Sequence, residues 1–218
     1  VEACRAMAAL DDPRAAERLR SLLYDPALNV RDAAFSALAR LLGDEPLKAA
    51  EAGLNAPSEN VRLRGLQLLV AEVRKTPVKS LDDRPAMMLA DALNDSFKAV
   101  RSEALKAALN LKVGGGGAST LRFVMRSQHA DVRREAMTEA MAGVGEPGGW
   151  AVIFEFLNDP DPALRAEAYG FAAKKTKGLE TLDAALGSRY PDLRKAAVDG
   201  LVKKHTAAAQ KLLTRALD

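Results

Sequence analysis

An aliphatic residue followed directly by arginine occurs six times along this chain of 218 residues. Successive pairs lie 29 to 39 residues apart, a period typical of proteins built from stacked two-helix repeats. Four positions after each aliphatic residue stands a small residue, and a larger one follows it. The pairs are Val30-Arg31, Val61-Arg62, Val100-Arg101, Val132-Arg133, Leu164-Arg165 and Leu193-Arg194, and the small residues are Ala34, Gly65, Ala104, Ala136, Ala168 and Ala197.

Apolar residues with helical periodicity flank every pair, and the alternation of small and large residues lets helix backbones approach closely. We predict first helices at residues 15–24, 47–54, 86–93, 120–126, 150–157 and 179–186. We predict second helices at residues 31–42, 62–74, 101–112, 133–144, 165–175 and 194–204, with residues 1–10 as an unpaired second helix. The sequence therefore predicts an all-α fold, an α-α superhelix of about six helical hairpins.

Prolines and turn aspartates support this division of the chain. Proline costs no hydrogen bond at the first position of a helix, and its fixed φ helps a chain to reverse. The predicted starts of first helices hold Pro13, Pro46, Pro85 and Pro147, and the turns within hairpins hold Pro26, Pro57, Pro160, Pro162 and Pro191. Asp25, Asp95 and Asp159 share one turn position and are expected to cap the helix that follows.

The turn Asp-Pro, the Val/Leu-Arg pair and the following alanine, most complete at residues 25–31 and 159–165, resemble the HEAT-repeat family. The likeness is strongest to the short bacterial repeats related to phycobilisome lyases, and it covers nearly the whole chain. It implies one HEAT/armadillo-like solenoid over residues 1–218, with second helices on its concave surface. The implied units are a partial repeat at 1–12 and repeats at 13–45, 46–76, 85–113, 118–146, 147–177 and 178–218.

Composition narrows the class of protein. With 48% hydrophobic and 28% charged residues the chain is too apolar for disorder, and no apolar run is long enough for a membrane span. A single cysteine excludes an intrachain disulfide and agrees with a reducing compartment. The chain begins at Val1 without a signal-peptide pattern, so we expect a cytoplasmic segment of a longer bacterial protein.

The six arginines have two interpretations. At repeat spacing they can follow the phosphates of an anionic polymer. We favour a structural ladder, as the HEAT resemblance implies, in which each arginine binds turn aspartates and a neighbouring repeat. The ladder residues are Arg31, Arg62, Arg101, Arg133, Arg165 and Arg194.

Exposed positions of the second helices are the better candidates for partner binding, because they vary from repeat to repeat. Glu103, Glu135 and Glu167 occupy the same position in three consecutive repeats and are expected to receive a basic peptide, with Arg134 and Lys195 beside them. The alternative is a solvated row that pairs locally with neighbours such as Lys106.

The positive charge of the chain lies at its C-terminal end, where residues 171–218 hold ten Lys or Arg against five Asp or Glu. Nucleic acid, a phosphorylated partner or an acidic protein would suit such a surface, and a polar cap at the end of the solenoid is the alternative. The candidate anion-binding residues are Lys174, Lys175, Lys203 and Lys204, accompanied by Lys177, Arg189, Lys195, Lys211 and Arg215.

The sequence contains only weak indications of a catalytic, metal or phosphate-binding site. His129 and Asp131 have no suitably placed nucleophile, the cysteine and two histidines lack zinc-like spacing, and the run 114–117 lacks the ending of a phosphate loop. Trp150 is expected to pack between helices.

We predict a scaffold or adaptor without catalysis or cofactor that binds a protein or an adjacent domain. The alternatives are a module resembling HEAT-like DNA glycosylases and a bilin-lyase-like protein.

Overall fold

The computed structural model describes residues 1–9, 13–176 and 178–216, and within these ranges the chain is all-α, with no strand. No helix in this part of the chain is both long and apolar enough to span a membrane. Fourteen α-helices are described: α1 Glu2–Met7, α2 Pro13–Leu22, α3 Leu28–Leu41, α4 Pro46–Leu54, α5 Glu59–Lys75, α6 Arg84–Ala92, α7 Lys98–Asn110, α8 Gly117–Met125, α9 Ala130–Ala142, α10 Gly149–Glu155, α11 Pro162–Lys175, α12 Glu180–Leu186, α13 Pro191–Val202 and α14 Ala207–Arg215.

Every predicted helical segment contains a helix, which confirms the all-α prediction. The even-numbered helices α2 to α12 are the first helices, and the odd-numbered helices α3 to α13 are the second helices. Helix α14 was not predicted, because residues 207–215 follow the last arginine pair and lack its motif. A short 3-10 turn, Phe156–Asn158, extends α10.

Several predicted helix starts and caps are wrong in detail. Each second helix begins three residues before its arginine, so that Pro162 and Pro191 are first helical residues and do not lie in turns. Pro147 precedes α10 without starting it, because Gly148 adopts a left-handed φ of 82° before the helix begins. The prediction that Asp25, Asp95 and Asp159 cap the following helices is wrong, because the N-caps of α3, α7 and α11 are Ala27, Phe97 and Asp161. Each of the three aspartates instead accepts a hydrogen bond from the backbone N–H two residues later and forms a turn.

The chain divides into two compact units. The first comprises Val1–Gly116 and Ser127–Val132, and the second comprises Gly117–Arg126 and Arg133–Asp218. In the first unit Cys4, Leu19, Phe35 and Leu38 belong to one apolar cluster formed by α1, α2 and α3. The core of the second unit includes fully buried large side chains such as Ile153, Phe156, Leu157, Leu164 and Leu201.

The small residue after each arginine pair is buried because helices approach closely there. A Cβ atom on Gly65 of α5 would lie 2.6 Å from the Leu54 nitrogen and 2.8 Å from the Ala50 oxygen. Both are backbone atoms of α4, which cannot shift without displacing the helix. The corresponding alanines of the other five repeats are fully buried, which explains why only Ala and Gly occur at this position.

Candidate functional site

The arginine of each pair is the fourth residue of its second helix. We call Arg31, Arg62, Arg101, Arg133, Arg165 and Arg194 the arginine column. In five of the repeats the guanidinium donates to the carbonyl oxygen six residues earlier, at the turn between the paired helices. The nitrogen–oxygen distances are 2.7 Å for Arg31–Asp25, 2.6 Å for Arg62–Ala56, 2.8 Å for Arg101–Asp95, 2.9 Å for Arg165–Asp159 and 2.8 Å for Arg194–Ser188. The turn carbonyl thus gains a partner that the helix cannot supply.

Four arginines of the column also bind a carboxylate of the following repeat. Such charge-assisted bonds are stronger than neutral ones and fix one hairpin to the next. In the first unit the pairs are Arg62–Asp95 at 2.8 Å and Arg101–Asp131 at 2.6 Å. In the second unit they are Arg133–Asp159 at 2.7 Å and Arg165–Asp192 at 2.8 Å.

The carboxylate comes alternately from two positions of the repeat. Asp95 and Asp159 lie in the turn, six residues before the next arginine, as the sequence indicated. Asp131 and Asp192 are the second residues of α9 and α13, two residues before the next arginine. Sequence analysis missed this second position, because the acceptor aspartate stands six residues before the next arginine in some repeats and two residues before it in others.

In two of the three repeats that lack the turn aspartate, serine stands at its position and makes a recurring set of contacts. The Ser127 Oγ donates to the Leu93 carbonyl at 2.9 Å, and the Gln128 N–H donates to the Asn94 side-chain oxygen at 2.8 Å. In the second unit the Ser188 Oγ donates to the Leu157 carbonyl at 2.9 Å, and the Arg189 N–H donates to the Asn158 side-chain oxygen at 2.9 Å. In the last four repeats aspartate and serine therefore alternate at this turn position.

The arginine pairs change the acidity of their partners. Burial raises the pKa of Asp131, but the hydrogen bond and charge of Arg101 outweigh burial and hold that pKa below its ordinary value. The hydrogen bond from Arg165 is the main cause of the lowered pKa of Asp192. The Arg165 guanidinium also lies 3.7 Å from the centre of the Tyr190 ring. Most of the arginine column is thus engaged within the protein and does not present a row of free cations.

The predicted partner-binding residues lie on exposed parts of the second helices. In the first unit Glu103 is paired with Lys106 of its own helix at 2.6 Å. In the second unit Arg134 of α9 forms an ion pair with Glu167 of α11. Glu135 and Lys195 are exposed, and their side chains have no hydrogen bond or ion pair among the described residues. The expected acidic row is therefore partly neutralised by local pairs, and Glu135 is its free carboxylate.

The candidate anion-binding lysines lie at the ends of two second helices. Lys174 and Lys175 are the last residues of α11, and Lys203 and Lys204 follow α13. All four are exposed, and positive charge at a helix C-terminus stabilises the helix dipole. Lys177 lies outside the described residues. Of the accompanying cations, Arg189 donates to the Asn158 carbonyl and Arg215 pairs with Asp183.

Other residues singled out in the sequence have structural contacts. The Trp150 ring is half-buried and packs against Phe154 and Phe171, with centroids 5.7 and 6.2 Å apart. The His129 ring contacts the Asn94 carbonyl at 3.3 Å, while Asp131 binds Arg101. The four glycines of residues 114–117 all have positive φ, which only glycine adopts readily. The division between the two units falls inside this glycine run.

Two cavities of the first unit escaped sequence analysis. One of about 330 Å³ has Glu51, Asn55 and Asp91 in its lining, together with the Arg62–Asp95 pair. The other, of about 370 Å³, is lined in part by Arg20, Tyr24 and Lys48. The residue that could have indicated the second cavity is Tyr24, which stands where three of the five later repeats have asparagine and is 64% exposed.

No group of three or more His, Cys, Asp or Glu side chains that could hold a metal ion occurs in the described ranges. No protein-family model and no curated protein matches the sequence of this chain. Function is therefore inferred from the geometry of the chain itself.

Proposed function

We propose that the chain is a HEAT-repeat scaffold or adaptor module that binds a protein partner through the exposed face of its second helices, without catalysis or cofactor. The observation that carries the proposal is the contrast between neighbouring positions of the same helices. The arginine column is largely used in contacts between hairpins, whereas several nearby residues of the same helices are exposed and differ in charge: Glu103, Arg134, Glu135, Glu167 and Lys195.

The repeated hairpin contacts support the HEAT-like solenoid within this proposal. Five arginines make the same bond to the carbonyl six residues earlier. Three of these five, and Arg133 as well, reach a carboxylate of the next hairpin. Four successive hairpin contacts therefore use the same kind of ion pair. Contacts between neighbouring repeats are what stabilise quasi-one-dimensional repeat proteins.

In the second unit the proposed surface contains Arg134, Glu135, Glu167 and Lys195. Two acidic and two basic side chains on three successive second helices favour a protein partner that makes a different contact at each of these positions. A nucleic-acid surface would need a more uniform set of free cations. A basic peptide that contacts Glu135 can also compete with Arg134 for Glu167.

The proposal is tested by reversing charge at Glu135 and Glu167 and measuring the binding of an array of labelled basic and acidic peptides. We expect Glu135→Lys and Glu167→Lys to weaken the binding of basic peptides while helicity by circular dichroism stays constant. Glu146→Lys is the matched control, because Glu146 is exposed in the loop between α9 and α10 and carries the same charge change.

Equal peptide binding by the charge-reversed variants and the control would exclude this face. Salt-sensitive binding of duplex DNA that disappears when Lys174, Lys175, Lys203 and Lys204 are changed to Gln would favour the nucleic-acid alternative. A specific absorbance change on titration with a tetrapyrrole would favour the bilin-lyase-like alternative.

A further inference from the structure

Arg31 is a member of the arginine column that no carboxylate of the described residues binds. It belongs to α3, and the hairpin that follows, α4 and α5, lies wholly within the described part of the first unit. The two positions that supply the acceptor in other repeats hold Ala56 and Asn60 here. The Asn60 amide donates to the Asp32 carboxylate at 3.0 Å. The lack of an acceptor for Arg31 therefore follows from the sequence of the next repeat.

One edge of the Arg31 guanidinium is fixed by its own turn. Its Nη1 donates to the carbonyl oxygens of Asp25 at 2.7 Å and Pro26 at 2.8 Å. Arg165 makes the same two turn contacts through Nη1, and its Nε and Nη2 bind Asp192. In Arg31 neither Nε nor Nη2 has an acceptor among the described residues, and Nε is buried. The guanidinium of Arg31 is thus held as that of Arg165 is held when it binds a carboxylate.

Ser58 leaves room beside this edge and adds a hydroxyl group. In two later repeats the residue four positions before the next arginine packs against the preceding guanidinium: that of Arg62 lies 5.3 Å from the centre of the Phe97 ring, and that of Arg165 lies 3.7 Å from the centre of the Tyr190 ring. Ser58 occupies this position in the second repeat and is much smaller than either ring. It is the N-cap residue of α5, yet its hydroxyl makes no cap hydrogen bond. The buried Ser58 Oγ has no hydrogen-bond partner among the described residues.

The charges around Arg31 favour a ligand with a single negative charge. Asp32 is already compensated, because Arg64 lies 3.6 Å from its carboxylate. Asp25 uses its side chain in its own turn and accepts from the Ala27 N–H at 2.9 Å. These two carboxylates repel a divalent anion more strongly than a monovalent one. A planar guanidinium edge matches the two oxygens of a carboxylate, and a buried donor without an acceptor costs free energy that such a ligand recovers.

The geometry points to a carboxylate-binding site formed by Arg31 and Ser58. The carboxylate binds the Nε and Nη2 edge of Arg31, as Asp159 binds that of Arg133, and accepts a hydrogen bond from Ser58 Oγ. It belongs to a free carboxylic acid or to an acidic side chain of another protein. Arg31 and Ser58 are both half-buried, so a ligand reaches them from solvent. The site lies at the turns within the hairpins and does not depend on the second-helix face proposed above.

The probe is a capped aspartate, N-acetyl-aspartate N-methylamide, which is titrated into the full chain and followed by nuclear magnetic resonance. Backbone N–H signals of residues 56–60 report binding in every variant, and the side-chain Nε–H signal of Arg31 reports it in the unchanged protein. We expect both to shift and to saturate. Arg31→Gln should weaken the binding about tenfold or more, because the charge-assisted contact is lost. Ser58→Ala should weaken it about threefold or more.

Ala56→Asp tests the site while Arg31 and its turn contacts remain. This substitution recreates in the second repeat the Asp-Pro turn of residues 159–160. The new carboxylate should bind Arg31 within the chain and weaken the binding of the probe about tenfold or more. Arg40→Gln is the matched control, because Arg40 is exposed near the end of the same helix and binds no carboxylate of the described residues. Circular dichroism establishes that the variants remain folded.

Acetate and inorganic phosphate separate the sources of the ligand. Tighter binding of the capped aspartate than of acetate indicates an acidic side chain of a protein, and equal or tighter binding of acetate indicates a free acid. Either result supports the site. The proposal is overturned if neither carboxylate gives saturable shifts, if inorganic phosphate binds more tightly than both, or if Ala56→Asp and Arg40→Gln have equal effects.

Discussion

Arg133 and Asp159 form a buried, two-point ion pair between consecutive repeats of the second unit. The Arg133 side chain is 6% exposed and that of Asp159 is 2% exposed. Arg133 Nε donates to Asp159 Oδ2 at 2.7 Å, and Nη2 donates to Oδ1 at 3.1 Å. Asp159 also accepts a hydrogen bond from the Asp161 N–H at 2.8 Å. The Asp159 side chain therefore stabilises its own turn and also binds the preceding hairpin.

Loss of this carboxylate should destabilise the second unit strongly. Asp159→Asn keeps an acceptor for the turn but leaves the Arg133 charge buried without compensation, so we expect a loss of about 3–5 kcal/mol in the free energy of unfolding. Urea unfolding followed by Trp150 fluorescence measures it, because Trp150 is the single tryptophan and lies in this unit.

Asp161→Asn is the matched control for this substitution. Asp161 caps α11 by accepting from the Ala163 N–H at 2.8 Å, and asparagine is an equally good N-cap. We expect a loss below about 1 kcal/mol, from the helix dipole alone. Equal losses in the two variants would mean that the turn, and not the ion pair, is what Asp159 stabilises.

The residues that repeat most regularly were the ones that sequence analysis interpreted best. Helix positions followed from apolar spacing, and the small residue at Gly65 or Ala136 indicated close packing. The acceptors Asp131 and Asp192 were missed because an aspartate can reach the guanidinium from either of two positions, six or two residues before the next arginine. A comparison of the repeats at one position at a time does not reveal this exchange. The exposure of Val198 was equally hidden, because the burial of a helix position depends on which side chains of other helices reach it and not on its own residue type.

Acid should weaken the contact between Arg165 and Asp192. The pKa of Asp192 is lowered in the folded protein, so its contribution to stability is present above the unfolded-state value of about 3.9 and is lost as pH falls below it. We expect Asp192→Asn to flatten the fall in unfolding free energy between neutral and acidic pH. Denaturant titrations over that range measure the slope, and an unchanged slope would show that Asp192 titrates alike in both states.

Gly65→Ala should destabilise the first unit although alanine is the better helix former. The added methyl group meets backbone atoms of the neighbouring helix at 2.6–2.8 Å, and overpacking of about 1–3 kcal/mol exceeds the gain of roughly 1 kcal/mol in helix propensity. Gly170→Ala in α11 is the control, because nothing lies within 4 Å of its Cβ position. There we expect a gain of roughly 0.5–1 kcal/mol by urea unfolding. A gain in both variants would contradict the close approach of α4 and α5.

Ser188 and Asn158 should act as one unit in joining two repeats. The Ser188 hydroxyl is buried, donates to the Leu157 carbonyl and accepts from the Tyr190 N–H at 3.2 Å, while the Asn158 oxygen accepts from the Arg189 N–H. The Ser188 hydroxyl also lies 3.2 Å from Asn158 Oδ1. Ser188→Ala removes all three contacts of the hydroxyl, so we expect a loss of about 1–3 kcal/mol in the free energy of unfolding. Thr138→Ala is the control, since that hydroxyl is exposed and bonds only within its own helix.

The coupling between the two side chains is measurable in a double-mutant cycle with Asn158→Ala. Either substitution loosens the turn of residues 188–190, after which the remaining contact stabilises less than it does in the unchanged protein. We therefore expect the two losses to be non-additive by about 0.5–3 kcal/mol in urea unfolding followed by Trp150 fluorescence. Additive losses would show that serine and asparagine fix the turn independently, and that their joint recurrence at Ser127 and Asn94 has no energetic basis.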